Sequence, residues 1–225
     1  MRKRSITRQA ERRALPEFCT KELAFRRRYP RQLIVDETPI VYRLGRWLAT
    51  PEPGFPVKAK QLFAWITSPT AKAGAFEITA YSIDDFASNG AVFDALDASE
   101  GYEAEFGTVL VETWKDVAFD VAAYGDIVFY RAAWVSPDYK DVGIFERASL
   151  SLIDEHFPRY SVILMKAFPL EYERIEAKRG SATQANLERR LRAMRRHYAR
   201  IFGAQSMPRR WGKEGWLWAP RPERR

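Results

Sequence analysis

The chain has 225 residues, of which 46% are hydrophobic, and it carries a net charge of +8 and a single cysteine. This length and composition suffice for one buried core, and a lone cysteine excludes an intramolecular disulfide. No apolar run reaches the roughly 18 residues of a membrane-spanning helix, and the basic N-terminus lacks the apolar stretch of a secretory signal, so we expect a cytoplasmic protein without membrane contact.

Residues 1–56 differ in pattern from the rest of the chain. They combine charge runs with several prolines and show no sustained period of 3.6 or 2. We therefore predict a basic, irregular N-terminal extension over residues 1–56 and one domain over residues 57–225. The tail before Pro16 is polar and basic, and we expect it to be poorly ordered or to pack on a partner.

The predicted domain opens with strands. Residues 61–67 and 75–83 are rich in β-branched and aromatic residues, and the sequence SPTAKAG between them is typical of a turn. These two segments predict an antiparallel hairpin. Residues 99–114 instead predict a helix, because their apolar residues fall at helical spacing.

A strand, a helix and a second strand follow. Residues 127–135 form an apolar, β-rich run, residues 143–157 have one apolar side, and residues 161–168 are again a strand pattern. Such a βαβ unit places its two strands parallel, with the helix on the sheet. Residues 186–202 predict a second docked helix, and residues 215–220 predict a last strand.

The turn between strand 127–135 and helix 143–157 is the most informative segment. Helix N-termini offer unpaired N–H groups and about half a unit of positive charge, which suits a pyrophosphate. The sequence VSPDYKDVG at residues 135–143 resembles the acetyl-CoA-binding motif of the GNAT (N-acetyltransferase) superfamily. Val135, Pro137, Tyr139, Lys140 and Gly143 stand at the valine, proline, aromatic, basic and central glycine positions of that motif.

Three further segments extend the resemblance over about residues 57–220. VFDALDAS at residues 92–99 stands before a helix, K-x-F-P-L at residues 166–170 closes the second strand, and RRHYARIFGA at residues 195–204 resembles the closing helix of the superfamily. The resemblance implies an α/β (α+β) fold: a GNAT-like mixed, mostly antiparallel sheet with a central splayed pair of parallel strands, flanked by helices.

The resemblance also implies an acyl-CoA-dependent N-acyltransferase that moves an acetyl group from acetyl-CoA to an unidentified amine. Acetyl-CoA would lie between the two parallel strands, with its pyrophosphate on the backbone amides of the turn. The implied cofactor-binding residues are Trp134, Val135, Lys140, Asp141, Val142, Gly143, Ile144 and Phe145.

Three of these residues depart from the motif. Asp141 and Phe145 stand where the superfamily usually has small residues, and Lys140 replaces an arginine. A carboxylate repels a pyrophosphate, and a large side chain adds bulk where the backbone must approach the ligand. We therefore expect weak cofactor binding, which glycine at positions 141 and 145 should tighten.

Catalysis would need an acid for the departing thiolate and a base for the amine. The resemblance places Tyr198 at the position of the acid, whereas its alternative role is to complete the apolar stripe of its helix. No base is evident: the carboxylates in or upstream of the central strand are Asp126, Asp120 and Glu112. His156 and His197 are isolated, and we predict surface positions for them and no metal site.

The basic residues suggest an alternative function. Arginines are concentrated in the N-terminal tail, at residues 26–28, in the helix of residues 189–200 and at the C-terminus. Such clusters are most often solvated faces, so nucleic acid is a partner that the sequence does not favour. The alternative is a catalytically inactive GNAT-fold module that contacts nucleic acid or an acidic partner. The oligomeric state stays open.

Overall fold

The computed structural model describes residues 31–67, 72–98, 102–135, 143–167 and 181–221. The strands are β1 (Arg31–Val35), β2 (Thr38–Leu44), β3 (Leu48–Ala49), β4 (Val57–Thr67), β5 (Lys72–Ile83), β6 (Ile127–Val135), β7 (Val162–Lys166), β8 (Gln205–Ser206) and β9 (Trp216–Pro220). The helices are α1 (Asn89–Asp97), α2 (Tyr102–Thr113), α3 (Val117–Tyr124), α4 (Ile144–His156), α5 (Ser181–Phe202) and α6 (Arg209–Lys213).

All nine strands belong to one sheet. The strand order is β1-β2-β4-β5-β6-β7-β9-β8, and β3 pairs with β4. Every pair is antiparallel except β6 with β7, which is parallel. The structure thus confirms the α/β class, the mostly antiparallel sheet and the parallel pair that the βαβ pattern predicted.

The N-terminal part of the sheet was not predicted. β1 and β2 form a hairpin, and β2 pairs with residues 62–66 of β4. The irregular structure expected up to residue 56 is therefore wrong for residues 31–49. Asp36 and Glu37 turn the chain with φ of 46° and 62°, as tight hairpins require. Apolar residues also occupy outward positions in these strands, such as Ile34, which is 58% exposed, so no alternation of apolar and polar residues marks them in the sequence. The tail before Pro16 lies outside the described residues.

The hairpin of β4 and β5 is confirmed and forms the longest ladder of the sheet. Side chains of β5 alternate between the two faces of the sheet. Phe76, Ile78 and Ala80 enter a core cluster with α4 and α5, whereas Tyr81 and Ile83 enter a second cluster with α1, α2 and α3. The sheet therefore separates two cores.

Three helices connect β5 to β6. The helix predicted at residues 99–114 is α2, and its apolar residues Phe106, Val109 and Leu110 are buried against the second core cluster. The segment of residues 92–99, expected to stand before a helix, lies largely within α1. The third helix, α3, was not predicted.

Glycine fixes the start of the βαβ unit. A Cβ at Gly125 would lie 1.6 Å from the carbonyl oxygen of Arg159, so only glycine fits there. This contact brings the start of β6 beside the start of β7, where Asp126 N–H donates to Arg159 and Ser161 N–H donates to Asp126. Helix α4 lies between the strands in sequence, close to the predicted range of residues 143–157.

The C-terminal elements complete the sheet. Helix α5 begins at Ser181, five residues before the predicted start, and β9 lies where a last strand was expected. β9 pairs with β7, and the short elements β8 and α6 between them were not predicted. None of the helices described has both the length and the apolar content to cross a membrane.

Candidate functional site

The end of β6 is the first part of the predicted cofactor site. The ladder of β6 with β7 ends at Tyr130 and Met165, whereas β6 continues to Val135. Beyond Tyr130, β6 pairs only with β5 among the described strands. Trp134 and Val135 are half-buried in this part of the strand. No strand of the described chain therefore covers the β7-facing backbone edge of residues 131–135.

The turn after β6 is described from Gly143 onward, so Lys140, Asp141 and Val142 lie outside the described residues. Gly143 has φ of +70°, in the left-handed region that glycine adopts without steric cost. It is the N-cap residue of α4, and having no side chain it leaves the first N–H groups of the helix uncapped. The structure therefore contains the helix N-terminus for which we proposed an anion site from the sequence.

Arg147 adds a positive charge at this N-terminus. A Cβ at position 143 would lie 2.8 Å from the Arg147 Nη1 atom, so the guanidinium lies directly over Gly143. Arg147 also forms a salt bridge with Asp36 of the β1–β2 turn, and its side chain is 47% exposed. Glu146 adds one negative charge in the same turn. Arg147 was not predicted as a site residue. The sequence did contain a signal for it, because a cation in the first turn of a helix opposes the helix dipole.

Ile144 and Phe145 are core residues. Both are 5% exposed and belong to the cluster between α4, α5 and the sheet. The Phe145 ring packs edge-on against Phe76, with ring centroids 5.6 Å apart. The Phe145 side chain, which we expected beside the cofactor, therefore packs into the core, because the first turn of α4 lies flat on the sheet.

Tyr198 lies on α5 beneath the same part of β6. It is 5% exposed, and its ring centroid is 6.1 Å from that of Tyr130. Burial raises the pKa of Tyr198, so its hydroxyl stays protonated at neutral pH. It thus lies in the apolar stripe of its helix, as one interpretation predicted, and it keeps the proton that the other interpretation requires.

The Tyr130 hydroxyl is held in a short chain of hydrogen bonds. The Ser149 hydroxyl donates to the Phe145 carbonyl at 2.8 Å and lies 3.0 Å from the Tyr130 oxygen. Because the single proton of the Ser149 hydroxyl is donated to the Phe145 carbonyl, the Tyr130 hydroxyl must be the donor in its contact with Ser149. Tyr130 is therefore a structural tyrosine whose proton is committed.

The two histidines are more buried than predicted. His197 contacts the Tyr198 and Phe145 rings, with centroid distances of 5.9 and 6.1 Å, and burial lowers its pKa. His156 packs on Tyr42, with a centroid distance of 4.9 Å, and burial lowers its pKa as well. The expectation of surface positions is wrong for both, because each helix turns its histidine toward a neighbouring aromatic ring.

The carboxylates considered as bases do not converge on the end of β6. Asp126 precedes the opposite end of the strand, roughly 30 Å along it from Val135 at about 3.3 Å per residue. Asp120 accepts a hydrogen bond from Trp114 Nε1 at 2.6 Å, and Glu112 pairs with Arg210 at 2.9 Å. Asp120 and Glu112 have structural partners, and Asp126 is too distant.

A different set of charges lies where the β6–β7 ladder ends. The register of β5 and β6 shifts between Glu77 and Ile78, which leaves Arg131 as the extra residue of a bulge in β6. Arg131 Nη1 donates to Glu77 at 2.8 Å and lies 3.9 Å from a Glu103 oxygen of α2. These residues were not predicted as a site. The available signal was a charged residue inside an otherwise apolar strand.

Beside Arg131 lies an open pocket of about 310 Å³ on the α2 face of the sheet. Its lining includes Gln61, Thr79, Tyr81, Glu103 and Arg131. Thr79 and Tyr81 are 1% and 2% exposed, and neither hydroxyl makes a hydrogen bond of normal geometry within the described part of the chain. Burial raises the pKa of the Tyr81 hydroxyl, and this effect is larger than the opposing effect of the nearby Thr79 hydroxyl. The pocket is thus polar and contains unpaired hydrogen-bonding atoms.

A second ion pair stands at the end of β7. The Lys166 ammonium donates to both Glu105 oxygens at 2.6 and 2.7 Å, and Trp216 Nε1 donates to Glu105 at 2.9 Å. Glu105 is therefore already engaged, in contrast to Glu103 two residues earlier on α2. This ion pair connects α2 to the end of β7.

The larger cavity lies at the other end of β6. It has about 560 Å³ and includes Trp47, Asp84, Phe86, Asp126 and Arg159 in its lining. It is far from Gly143 and Tyr198, and it contains none of the residues that the motif predicted. Among the described residues, no group of three or more histidine, cysteine or acidic side chains is placed to hold a metal ion.

Comparisons with known proteins do not assign the chain to a family. No family model matches the sequence, and no curated protein matches it significantly.

Proposed function

We propose that this chain is an acyl-CoA-dependent N-acyltransferase of GNAT-like fold, which transfers an acetyl group from acetyl-CoA to an amine. One observation carries the proposal. Among the described strands, one parallel pair stands within an otherwise antiparallel sheet, its ladder stops at Tyr130 and Met165, and the continuing strand is followed by a helix whose N-cap is a glycine. This arrangement offers a gap for the pantetheine arm and, at its mouth, a site for the pyrophosphate.

The gap supplies backbone groups to the pantetheine. Residues 131–135 of β6 have no described strand on their β7 side. The N–H and C=O groups on that side can pair with the amides of the pantetheine, as a further strand would. Trp134 and Val135 would hold it through backbone atoms, so their side-chain identity matters little to this contact.

The helix N-terminus supplies charge to the pyrophosphate. The first N–H groups of α4 point toward the turn, and the Arg147 guanidinium lies over Gly143. Helix N-termini favour anions, and a guanidinium can form two parallel hydrogen bonds with a phosphate. Binding would require Arg147 to share or leave Asp36.

Tyr198 supports the chemical step. The neutral amine nitrogen attacks the thioester carbonyl carbon and forms the C–N bond. The C–S bond then breaks, Tyr198 gives its proton to the departing sulfur, and the excess proton on the nitrogen returns to the tyrosinate, which leaves a neutral amide and a free thiol. The Tyr198 hydroxyl is protonated at neutral pH and can therefore serve as the acid, although burial raises its pKa and makes it a weaker acid than a solvent-exposed tyrosine. Tyr130 is less suited, because its proton is committed to Ser149.

The observation that favours the alternative function is the exposed face of α5. Arg189, Arg192, Arg196 and Arg200 are exposed along this helix. Such a row can neutralise phosphates of a nucleic acid, with an affinity that falls steeply with salt. A GNAT-like binding module without transfer activity is therefore the second candidate.

Thermal unfolding with acetyl-CoA tests the proposal. A ligand at 100 times its Kd adds about 2.7 kcal/mol, which corresponds to a rise in Tm of about 5–10 °C for a chain of this size. Arg147→Gln should reduce the shift, whereas Arg159→Gln, at the distant end of β6, should leave it unchanged. Absence of any shift at millimolar acetyl-CoA would refute acyl transfer, and salt-dependent binding of a nucleic acid would then support the alternative.

A further inference from the structure

We propose that the pocket beside the Arg131 bulge binds a small polar amine, whose ammonium group is held by Glu103. The inference deepens the proposed function, on which the role of this amine as acetyl acceptor rests. Binding itself depends only on the pocket.

The charges of the pocket favour a cation. Arg131 and Glu103 line the pocket and carry opposite charges, and Glu77, which does not line it, accepts a hydrogen bond from Arg131 and compensates the charge of that residue. Arg131 is hydrogen-bonded to Glu77 at 2.8 Å but is 3.9 Å from Glu103, beyond hydrogen-bond distance. The Glu103 side chain is 16% exposed and thus mostly withdrawn from water. A ligand ammonium would complete the coordination of this carboxylate.

Two buried hydroxyls favour a ligand that is polar as well as charged. Thr79 and Tyr81 line the pocket, and neither hydroxyl makes a hydrogen bond of normal geometry within the described chain. Buried polar atoms without partners are costly and rare, so a ligand group that pairs with them gains binding energy. The Tyr81 ring is fixed by stacking on Phe106, with centroids 5.0 Å apart, which sets the direction of its hydroxyl.

The size of the pocket limits the ligand. About 310 Å³ is at the lower end of the range of roughly 300–1,000 Å³ that holds small molecules. The pocket therefore suits an amine with one or two further polar groups, such as a hydroxyl, rather than a folded protein segment.

Its position connects the pocket to the gap between β6 and β7. Arg131 follows Tyr130, which forms the last pair of the ladder with β7. A ligand beside Arg131 is therefore next to the point where the gap opens. There the Glu103 carboxylate would take one proton from the ammonium, which frees the nitrogen lone pair to attack the thioester carbon. After the C–N bond forms, Tyr198 gives its proton to the sulfur as the C–S bond breaks, and the second proton on the nitrogen returns to the tyrosinate.

A titration of the full chain with 2-aminoethanol, followed by NMR without acetyl-CoA, tests the inference. We expect saturable shifts of the Arg131 side-chain signal and of the amides of Thr79 and Tyr81. Ethane-1,2-diol, which replaces the ammonium by a hydroxyl, should cause no such shifts. Absence of saturable shifts with tens of millimolar amine, or equal shifts with the diol, would overturn the proposal.

Variants locate the binding group. Glu103→Gln should weaken amine binding at least about tenfold, as expected for the loss of a charged hydrogen bond. Glu112→Gln lies on the same helix but is paired with Arg210, and it should bind within about twofold of the wild type. If Glu103→Gln does not fold, Tyr81→Phe provides the second test, with weaker binding expected and unchanged binding counting against the site.

The two proposals fail separately. Amine binding without a thermal shift by acetyl-CoA would support the pocket and refute the transfer. A thermal shift by acetyl-CoA without amine binding would refute the pocket and leave the proposed function standing.

Discussion

The Phe145 ring meets the Tyr130 ring edge-on, with centroids 6.3 Å apart and planes at 80°. This contact fixes the first turn of α4 on the sheet, at the place where a pyrophosphate would bind. It also changes the expected effect of substitutions at position 145. Glycine there would open a cavity in the core instead of making room for the cofactor.

Phe145→Ala should therefore lower the free energy of unfolding by about 3–5 kcal/mol, the usual cost of removing a buried phenylalanine. Phe86→Ala is the matched control, because Phe86 is fully exposed and its loss should change stability by less than about 0.5 kcal/mol. Urea unfolding of both variants measures the difference. Equal stability of the two would mean that Phe145 is not part of the core.

Gly143→Ala should destabilise the chain and weaken acetyl-CoA binding. The left-handed backbone costs about 1–2 kcal/mol with a side chain, and the added Cβ would also displace the Arg147 guanidinium. Gly203→Ala is a close control, since Gly203 has φ of +68° and nothing within 4 Å of the added Cβ. Both variants should share the backbone cost, measured by urea unfolding.

Calorimetry with acetyl-CoA then separates their effects on binding. Only Gly143→Ala should reduce the affinity, because only this substitution moves a charged group at the helix N-terminus. A similar loss of affinity in both variants would show that general destabilisation, and not the position of Arg147, governs binding.

Tyr198→Phe should lower kcat for acetyl transfer by about 100-fold or more, the usual contribution of a general acid. The Kd for acetyl-CoA should stay within about twofold, because the ring remains in place. Tyr130→Phe removes the neighbouring hydroxyl, which donates to Ser149, and should cost about 1 kcal/mol of stability with little change in kcat. Thiol release at saturating substrate measures both. An undiminished kcat for Tyr198→Phe would assign the tyrosine to packing alone.

Stability should fall as the pH rises above about 10. Burial raises the pKa of Tyr81, Tyr130 and Tyr198 in the folded chain, whereas the unfolded chain ionises these tyrosines near pH 10. The folded state then binds more protons than the unfolded state, so each tyrosine lowers the free energy of unfolding by about 1.4 kcal/mol per pH unit above that value.

Urea unfolding between pH 8 and pH 11 measures this loss as a change in midpoint. Tyr198→Phe should make the decline less steep, because one of the buried phenols is then absent. A constant midpoint over this range would show that the buried tyrosines ionise as readily in the folded chain as in the unfolded one.

The sequence by itself determined the elements whose apolar residues repeat clearly. The hairpin of β4 and β5, the helices α2 and α4, and the parallel strands β6 and β7 lie close to their predicted ranges. The helices bury one face each, which produces a period of 3.6, whereas residues 127–130 of β6 and 162–165 of β7 are buried on both faces and therefore form continuous apolar runs. The first strands, β1 and β2, escaped prediction because apolar residues such as Ile34 also lie at outward positions, so that apolar and polar residues do not alternate there.

Only the tertiary structure decided which side chains form the site. The direction of Phe145 follows from how α4 lies on the sheet, and the place of Arg147 follows from the left-handed turn at Gly143. Glu77 and Arg131 are 54 residues apart in sequence and meet because β5 and β6 are neighbours with a bulge between them. Local sequence patterns record which face of an element is buried, whereas contacts between charged groups of different elements depend on strand order and register, which no local pattern contains.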